Sequence, residues 1–176
     1  VACHVGSGGS ISAVKDGKCF ETSMGLTPLE GMMMGTRSGD IDASAVLAIM
    51  KAEGYDADRM SDLLNKESGV LGISGVSSDM REVKEAADNG HERAKLALEM
   101  YCHRIKKYIG SYAAIMGGVD VIVFTAGVGE HQWDVRYNSV SGLEFLGVKL
   151  DEAKNLKNFG EEEIISAEDS RVKVVV

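Results

Sequence analysis

The sequence contains few cysteines, no long apolar run and no cluster of basic residues. Its three cysteines, Cys3, Cys19 and Cys102, are odd in number and show no CxxC spacing. A disulfide framework and a structural zinc site are therefore disfavoured, and buried thiols in a reducing compartment are expected. No stretch approaches the roughly 18 uninterrupted apolar residues of a membrane span. The opening VACHV is too short for a signal peptide, so a soluble cytoplasmic protein is expected.

The charge balance is acidic. The 19 Lys and Arg residues against 27 Asp and Glu leave a formal net charge of −8. Nucleic acid and anionic membranes are therefore disfavoured as partners. If the protein binds an anion such as a phosphate, loop amides and a few arginines must hold it locally.

The length fits one domain or one lobe of a larger protein. The 176 residues are 44% hydrophobic, which is enough apolar material for a core. The first residues already have the pattern of a strand without an initiator Met, and residues 171–176 form an apolar strand that stops abruptly. We therefore expect a single domain over residues 1–176 that is a fragment of a longer chain.

The first 23 residues have the pattern of three consecutive strands. Residues 1–5 form an apolar run that breaks at a glycine-rich turn, and residues 10–15 and 18–23 are joined around Asp16-Gly17, a strong hairpin signal. Residues 24–42, which include the only proline, Pro28, are predicted to form a loop.

Helices are predicted next from apolar residues at three- and four-residue spacing. One apolar face, Val46 to Met50, is closed by Gly54, and a second helix opens at Asp56 or Asp58. A third begins at Asp79 with capping-box spacing, and the longest covers roughly 91–116.

An α/β unit completes the pattern. Residues 119–124 (VDVIVF) predict a strand buried on both faces of a sheet. This strand runs into the turn 125–129, after which Glu130 is expected to start a helix. Ligands are then expected at the carboxyl end of the strand.

Two glycine-rich turns follow strands, at residues 4–9 and 125–130. Glycine lets backbone amides approach a phosphate closely, and an adjacent helix N-terminus adds a favourable field. Tight turns also use glycine for purely structural reasons, so each turn alone leaves both interpretations open. Neither matches the Walker pattern GxxxxGK[ST].

Two polar segments are further candidates. Arg37 lies among small residues in a loop, where it acts either in catalysis or in a salt bridge to Asp40 or Asp42. Asp79, in the run Ser77-Ser78-Asp79-Met80-Arg81, is at least a helix cap. His4 ends a strand, where a structural imidazole is commoner than a catalytic one.

In order and spacing, these segments closely resemble the acetate kinases, short-chain acyl kinases of the acetokinase family. The matching segments are CHVGSGGSISAVKDGK, ETSMGLTPLEGMMMGTRSGDID, SGVSSDMREV, VIVFTAGVGEHQWDVR and GLEFLGVKLD. The resemblance implies a ribonuclease-H-like α/β domain of the acetate and sugar kinase, heat-shock chaperone and actin superfamily. In that fold a five-stranded mixed sheet, its first three strands antiparallel, is flanked by helices. The chain would be the C-terminal nucleotide-binding domain, without the N-terminal half and the extreme C-terminus.

The resemblance also implies residue roles. Arg37 would be the catalytic, transition-state arginine of an ATP:acetate phosphotransferase. The residues that would bind ATP or ADP are His4, Val5, Gly6, Ser7 and Gly8 at the phosphates, Asp79, Met80 and Arg81 at the nucleoside, and Gly127, Val128, Gly129, Glu130 and His131 around the adenosine. No metal ligand is assigned within the chain, and the ligands of the Mg²⁺ that the family uses are expected mostly outside it. The full-length enzyme would be a homodimer.

The sequence departs from the family pattern at several of these positions. Ser7 stands where the family usually has Asn, and Ala126 and His131 stand where it usually has Gly and Asn. Since the missing half carries further phosphate- and acyl-binding groups, the fragment is expected to be inactive alone. Two alternatives remain: a propionate kinase, which shares these motifs, and a non-catalytic nucleotide-binding module.

Overall fold

The computed structural model describes all residues from Val1 to Val176. The strands are β1 (Ala2–Val5), β2 (Gly9–Lys15), β3 (Lys18–Thr22), β4 (Val121–Thr125) and β5 (Lys173–Val175). The α-helices are α1 (Ala43–Glu53), α2 (Ala57–Lys66), α3 (Gly69–Ser74), α4 (Met80–Asp88), α5 (Glu92–Met116), α6 (Ala126–His131), α7 (Trp133–Val140) and α8 (Glu152–Lys157). None of them has both the length and the hydropathy required of a membrane span.

The strands form one mixed sheet in the order β3-β2-β1-β4-β5. β1, β2 and β3 pair antiparallel, whereas β4 runs parallel to β1 and β5 parallel to β4. The five-stranded mixed sheet with three antiparallel strands first is therefore confirmed. The predicted hairpin is also present: Asp16 and Gly17 both have positive φ (53° and 73°), as a two-residue turn between twisted strands requires.

The hydrophobic core lies between one face of the sheet and the long helix α5. Helices α3, α4 and α7 pack on α5, which in turn packs on β2. The sheet residues that face this core are all fully buried: Cys3, Val5, Ile11, Ala13, Ile122, Phe124 and Val174. As predicted, α5 buries its repeating apolar face, and it ends where Gly117 adopts a left-handed conformation.

Three local predictions differ from the structure. β4 is not buried on both faces: Val121 is 39% exposed because the helices cover only the face that carries Ile122 and Phe124. The helix after β4 begins at Ala126 rather than Glu130, since the chain turns directly at the end of the strand. The apolar face of α1 exists, but the helix buries none of its residues, and Leu47 is 65% exposed.

Candidate functional site

A cleft of about 690 Å³ lies at the edge of the sheet where the parallel strands β1 and β4 both end. This is the edge at which α/β sheets bind ligands. Four segments far apart in sequence line it: His4, Gly6, Ser7 and Gly8, then Asp79, Met80 and Arg81, then Ala126, Gly127, Val128, His131 and Gln132, and finally Phe159. The fold therefore gathers the three segments singled out in the sequence around one cavity.

The first wall is the loop after β1. The imidazole Nδ1 of His4 lies 3.0 Å from the hydroxyl of Thr125, so the ends of β1 and β4 are joined by side chains as well as by the backbone. The Tyr101 hydroxyl donates to the Gly6 carbonyl at 3.3 Å. Val5 is fully buried in the core and does not line the cleft, so only its backbone borders this loop.

The second wall is the start of α4. Asp79 is the N-cap: its carboxylate accepts from the backbone N–H of Arg81 at 2.9 Å. It also pairs with the Arg81 guanidinium at 2.5 Å. The hydrogen bonds from the Arg81 side chain are the main cause, and that from its backbone N–H the second, of a pKa of Asp79 lowered to about 2. Asp79 is therefore both a helix cap and a cleft residue, and a charged pair lies at this side of the opening.

The third wall is the turn from β4 into α6. Ala126 has φ of +65°, a conformation that L-residues adopt at a cost. Its N–H donates to the Glu130 carboxylate at 2.9 Å, so Glu130 braces the turn and does not line the cleft. Gly129 is also set back from the cleft, because a Cβ there would lie 3.0 Å from the Val5 side chain. At Gly127, by contrast, a Cβ would meet nothing within 4 Å.

Three cleft residues lie outside the predicted nucleotide-binding set. Ala126, which the sequence singled out only as a departure from the family pattern, adjoins Gly127. Gln132 follows the recognised segment directly, so extending that segment by one residue would have found it. Phe159 lies in the connection after α8, with no motif around it, and is 67% exposed. Its carbonyl lies 3.2 Å from Nδ1 of His131, and the two rings are 5.7 Å apart. Only the folded chain brings these two aromatic rings together.

Arg37 lies beside the cleft rather than in its lining. Its Nη1 would lie 3.6 Å from a Cβ placed on Gly8, and it contacts the sulfur of Met34. The salt-bridge interpretation is wrong: Asp40 instead accepts from the Tyr108 hydroxyl, and Asp42 caps α1. The guanidinium therefore has no carboxylate partner and is available next to the loop after β1.

Comparisons with known proteins all point to one family of kinases. The model of the acetokinase family matches residues 1–176. An acetate kinase of Bacteroides thetaiotaomicron is 64% identical over 176 residues, which are 100% of this chain and 44% of that protein. The crystal structure of Porphyromonas gingivalis acetate kinase has a TM-score of 0.98 at 53% identity and covers 99% of this chain and 44% of that one.

A propionate kinase from Francisella tularensis is also similar in structure, with a TM-score of 0.91 at 43% identity over 99% of this chain and 44% of that one. This chain thus spans less than half the length of the relatives it matches. The fold is the α/β domain, with its five-stranded mixed sheet, that the sequence pattern predicted. With a family match from the first residue to the last, the chain belongs to the acetokinase family.

Proposed function

We propose that the full-length protein is an acetate kinase, which reversibly transfers the γ-phosphate of ATP to acetate and gives acetyl phosphate and ADP. In this proposal the chain is the C-terminal nucleotide-binding domain. The observation that carries it is the cleft itself: the loop after β1, the start of α4 and the turn into α6 meet around one cavity, with Arg37 beside it.

The phosphate chain is proposed to lie along His4 to Gly8. This loop presents backbone groups at the carboxyl ends of β1 and β4, and two of its glycines line the cleft. Without Cβ atoms, backbone amides can approach an anion closely. The chain as a whole carries a net charge of −8, so local amides and Arg37 must supply the attraction.

Arg37 is proposed to stabilise the transition state. Acetate already has a nucleophilic oxygen, so the reaction needs no strong general base. The main obstacle is the repulsion between a carboxylate and a polyphosphate. A guanidinium held in place neutralises the oxygens of the transferred phosphoryl group, and such arginines are worth on the order of 10³-fold in rate.

The nucleoside is proposed to occupy the other end of the cleft. Asp79, Met80 and Arg81 form one side, and Gly127, Val128 and His131 the other. Gly129 and Glu130 support the turn from behind, by packing on Val5 and by accepting the Ala126 N–H. The Arg81 side chain is 85% exposed and is free to lie against a bound base or ribose.

The chain alone is proposed to be inactive, because it spans 44% of an acetate kinase and lacks the residues that would hold the acyl group. No three His, Cys, Asp or Glu side chains converge to hold a metal. The ligands of the Mg²⁺ are proposed to lie mostly outside this chain, and no proposed step depends on the ion. The full-length enzyme is further proposed to be a cytoplasmic homodimer, a location that suits three free cysteines.

Propionate kinase is the second candidate, because a solved propionate kinase shares this fold at 43% identity. Rates of the full-length enzyme with acetate and with propionate decide between the two. A full-length protein that binds ADP but phosphorylates neither acid would instead be a non-catalytic nucleotide-binding module.

The nucleotide site is tested by calorimetric titration of the chain with MgADP. A Cβ at Gly127 would meet no atom within 4 Å, so the side chain in Gly127→Val would occupy space at the cleft and is expected to abolish saturable binding while the fold is kept. Gly110→Val is the matched control, since Gly110 also has free space around its Cβ but lies within α5, away from the cleft. Equal ADP binding by both variants would contradict this location of the site.

The role of Arg37 is tested in the full-length enzyme. Arg37→Ala is expected to lower kcat by about 10³-fold while ADP binding stays nearly intact, because the guanidinium acts on the transition state. Arg59→Ala, which removes an exposed ion pair with Glu67, serves as the control. Unchanged turnover in Arg37→Ala would remove the catalytic assignment.

A further inference from the structure

Arg136, in α7, is completely buried and forms no ion pair, since the neighbouring Asp134 lies 3.8 Å from Lys84 Nζ instead. Its guanidinium forms five hydrogen bonds, all to neutral oxygens. Nε donates to the Asn155 side-chain oxygen at 2.7 Å, and Nη2 donates to the carbonyls of Asn155 and Asn158 at 2.8 and 3.1 Å. Nη1 donates to the carbonyls of Gly129 and Glu130 at 2.9 and 2.7 Å.

Burying a charge without a counter-ion is costly unless its hydrogen bonds are satisfied. An arginine has five N–H donors in a fixed fork, and Arg136 forms five hydrogen bonds with all three of its nitrogens. Because the fork is rigid, its acceptors are held at set positions relative to one another. Lysine has three donors on a flexible stem and could not replace this geometry.

The acceptors belong to two segments that both lead directly to the cleft. Gly129 and Glu130 lie near the end of α6, just before its last residue, His131. Asn155 lies in α8 and Asn158 caps its end, just before Phe159. Arg136 therefore joins the two segments that carry the His131–Phe159 contact. A second connection runs beside it, since the Asn155 side-chain N–H donates to the Trp133 carbonyl at 2.9 Å.

The aromatic pair that these bonds support is open to solvent. Phe159 is 67% exposed and His131 is exposed too, although both line the cleft. The two rings are tilted by 33° to each other, and an exposed aromatic ring at a cleft offers its face or edge to a planar ligand. In the proposed nucleotide site, the planar ligand at this end is the base.

We propose that Arg136 is a positioning residue for nucleobase binding: it holds the end of α6 and the end of α8 together so that the His131 and Phe159 rings stay next to each other at the base end of the cleft. The inference rests on the proposed nucleotide site. It assigns the base to one end of the cleft and requires that the phosphate loop, 4–8, bind its part of the ligand independently of Arg136.

Calorimetric titration of the chain with two probes, ADP and inorganic pyrophosphate, tests this division. In Arg136→Lys the Kd for ADP is expected to rise about tenfold or more, while the Kd for pyrophosphate stays within about twofold of wild type. Arg93→Lys is the matched control, because Arg93 also binds backbone carbonyls (of Gly72 and Ile73) but away from the cleft. It should leave both affinities unchanged.

If thermal unfolding shows that Arg136→Lys does not fold, Asn155→Ala replaces it, since this variant removes one of the five acceptors. Asn155→Ala is then expected to lose ADP affinity selectively too, but by a smaller factor than Arg136→Lys. An equal loss for ADP and pyrophosphate, or no loss for either, would overturn the role of Arg136. Wild-type protein that binds neither probe would contradict the proposed nucleotide site itself, and the inference with it.

Discussion

The backbone N–H of Gly35 donates a hydrogen bond to the carbonyl of Ser7 at 2.9 Å. This bond ties the loop that carries Arg37 to the loop after β1, so the arginine and the proposed phosphate loop keep a fixed relation to each other. A Cβ on Gly35 would lie 3.0 Å from the Ser78 carbonyl oxygen and 3.2 Å from that of Ser7. Three loops of the site therefore meet at a position where a Cβ atom would be unusually tight.

Gly35→Ala is expected to destabilise the fold by about 1–3 kcal/mol, because the added methyl group meets backbone oxygens that cannot turn away. It should also weaken ADP binding, since the loops at Ser7 and Ser78 must separate. Urea denaturation and calorimetry measure the two effects. Gly110→Ala is the control, and the opposite effect is expected there. Replacing a helical glycine that has free space by alanine raises the free energy of unfolding by about 0.5–1 kcal/mol. A Gly35→Ala variant as stable as wild type would contradict the tight contacts inferred at this position.

The Asp40–Tyr108 hydrogen bond is expected to stabilise the same loop. The Tyr108 hydroxyl donates to one Asp40 oxygen at 2.7 Å, and the Gly31 N–H donates to the other at 3.0 Å. Tyr108→Phe should lower the free energy of unfolding by about 1–2 kcal/mol, since it removes a hydrogen bond to a charged group. Tyr137→Phe should change the free energy of unfolding little, because Tyr137 is not among the residues with a buried, unpaired polar atom. Equal effects of the two variants would show that the Asp40 bond contributes nothing.

The Asp79 carboxylate is expected to make stability depend on acidic pH. Its pKa is lowered to about 2 by the Arg81 side chain and N–H, below its value in the unfolded chain. Its contribution is therefore complete above the unfolded pKa, near 4, and is lost as the pH falls towards about 2.

Unfolding free energies between pH 6 and about 2.5, measured for wild type and Asp79→Asn, test this dependence. Asparagine still caps a helix, so the variant should lose the pH-dependent part and keep the cap. Added salt should shrink the difference, because the Arg81 side chain is 85% exposed. Identical pH profiles would exclude the ion pair as their source.

Ala126→Gly is expected to stabilise the protein. The left-handed conformation of Ala126 costs a non-glycine residue about 1–2 kcal/mol, and the extra freedom of glycine in the unfolded chain offsets part of the gain. A net gain of up to about 1 kcal/mol corresponds to a rise in Tm of about 2–4 °C. The control is Asp16→Gly, since Asp16 is the other non-glycine residue with positive φ. Its change in Tm should be smaller, because aspartate tolerates this conformation. An unchanged or lower Tm for Ala126→Gly would contradict the strain.

Much of the fold was predictable because its signals are local. Asp16-Gly17 predicted the hairpin from two adjacent residues, and Gly54 and Gly117 marked helix ends by the conformation that glycine allows. The burial of β4 was not predictable in the same way. Whether Val121 is covered depends on which face the helices occupy, and its neighbours in sequence do not record that.

The candidate site was also predictable from the sequence only where its signals are local. Glycine-rich turns after strands pointed to residues 4–8 and 127–131, since strand ends in an α/β sheet share one edge. The alternatives for Arg37 stayed open in the sequence, because spacing cannot show whether Asp40 lies on its side of the loop. In the structure Asp40 accepts from the Tyr108 hydroxyl and the Arg37 guanidinium lies beside Gly8, which excludes the salt bridge and leaves catalysis as the proposal.

The sequence by itself determined the family, the first three strands, the longer helices and the loops that surround the cleft, because these follow from local conformation and from motifs in a set order. Only the tertiary structure decided that Phe159 meets His131 and that Arg136 joins the segments behind them. These contacts connect residues 6 to 28 positions apart through side chains whose partners are determined by packing. A buried guanidinium finds its five acceptors only after α6, α7 and α8 have assembled around it.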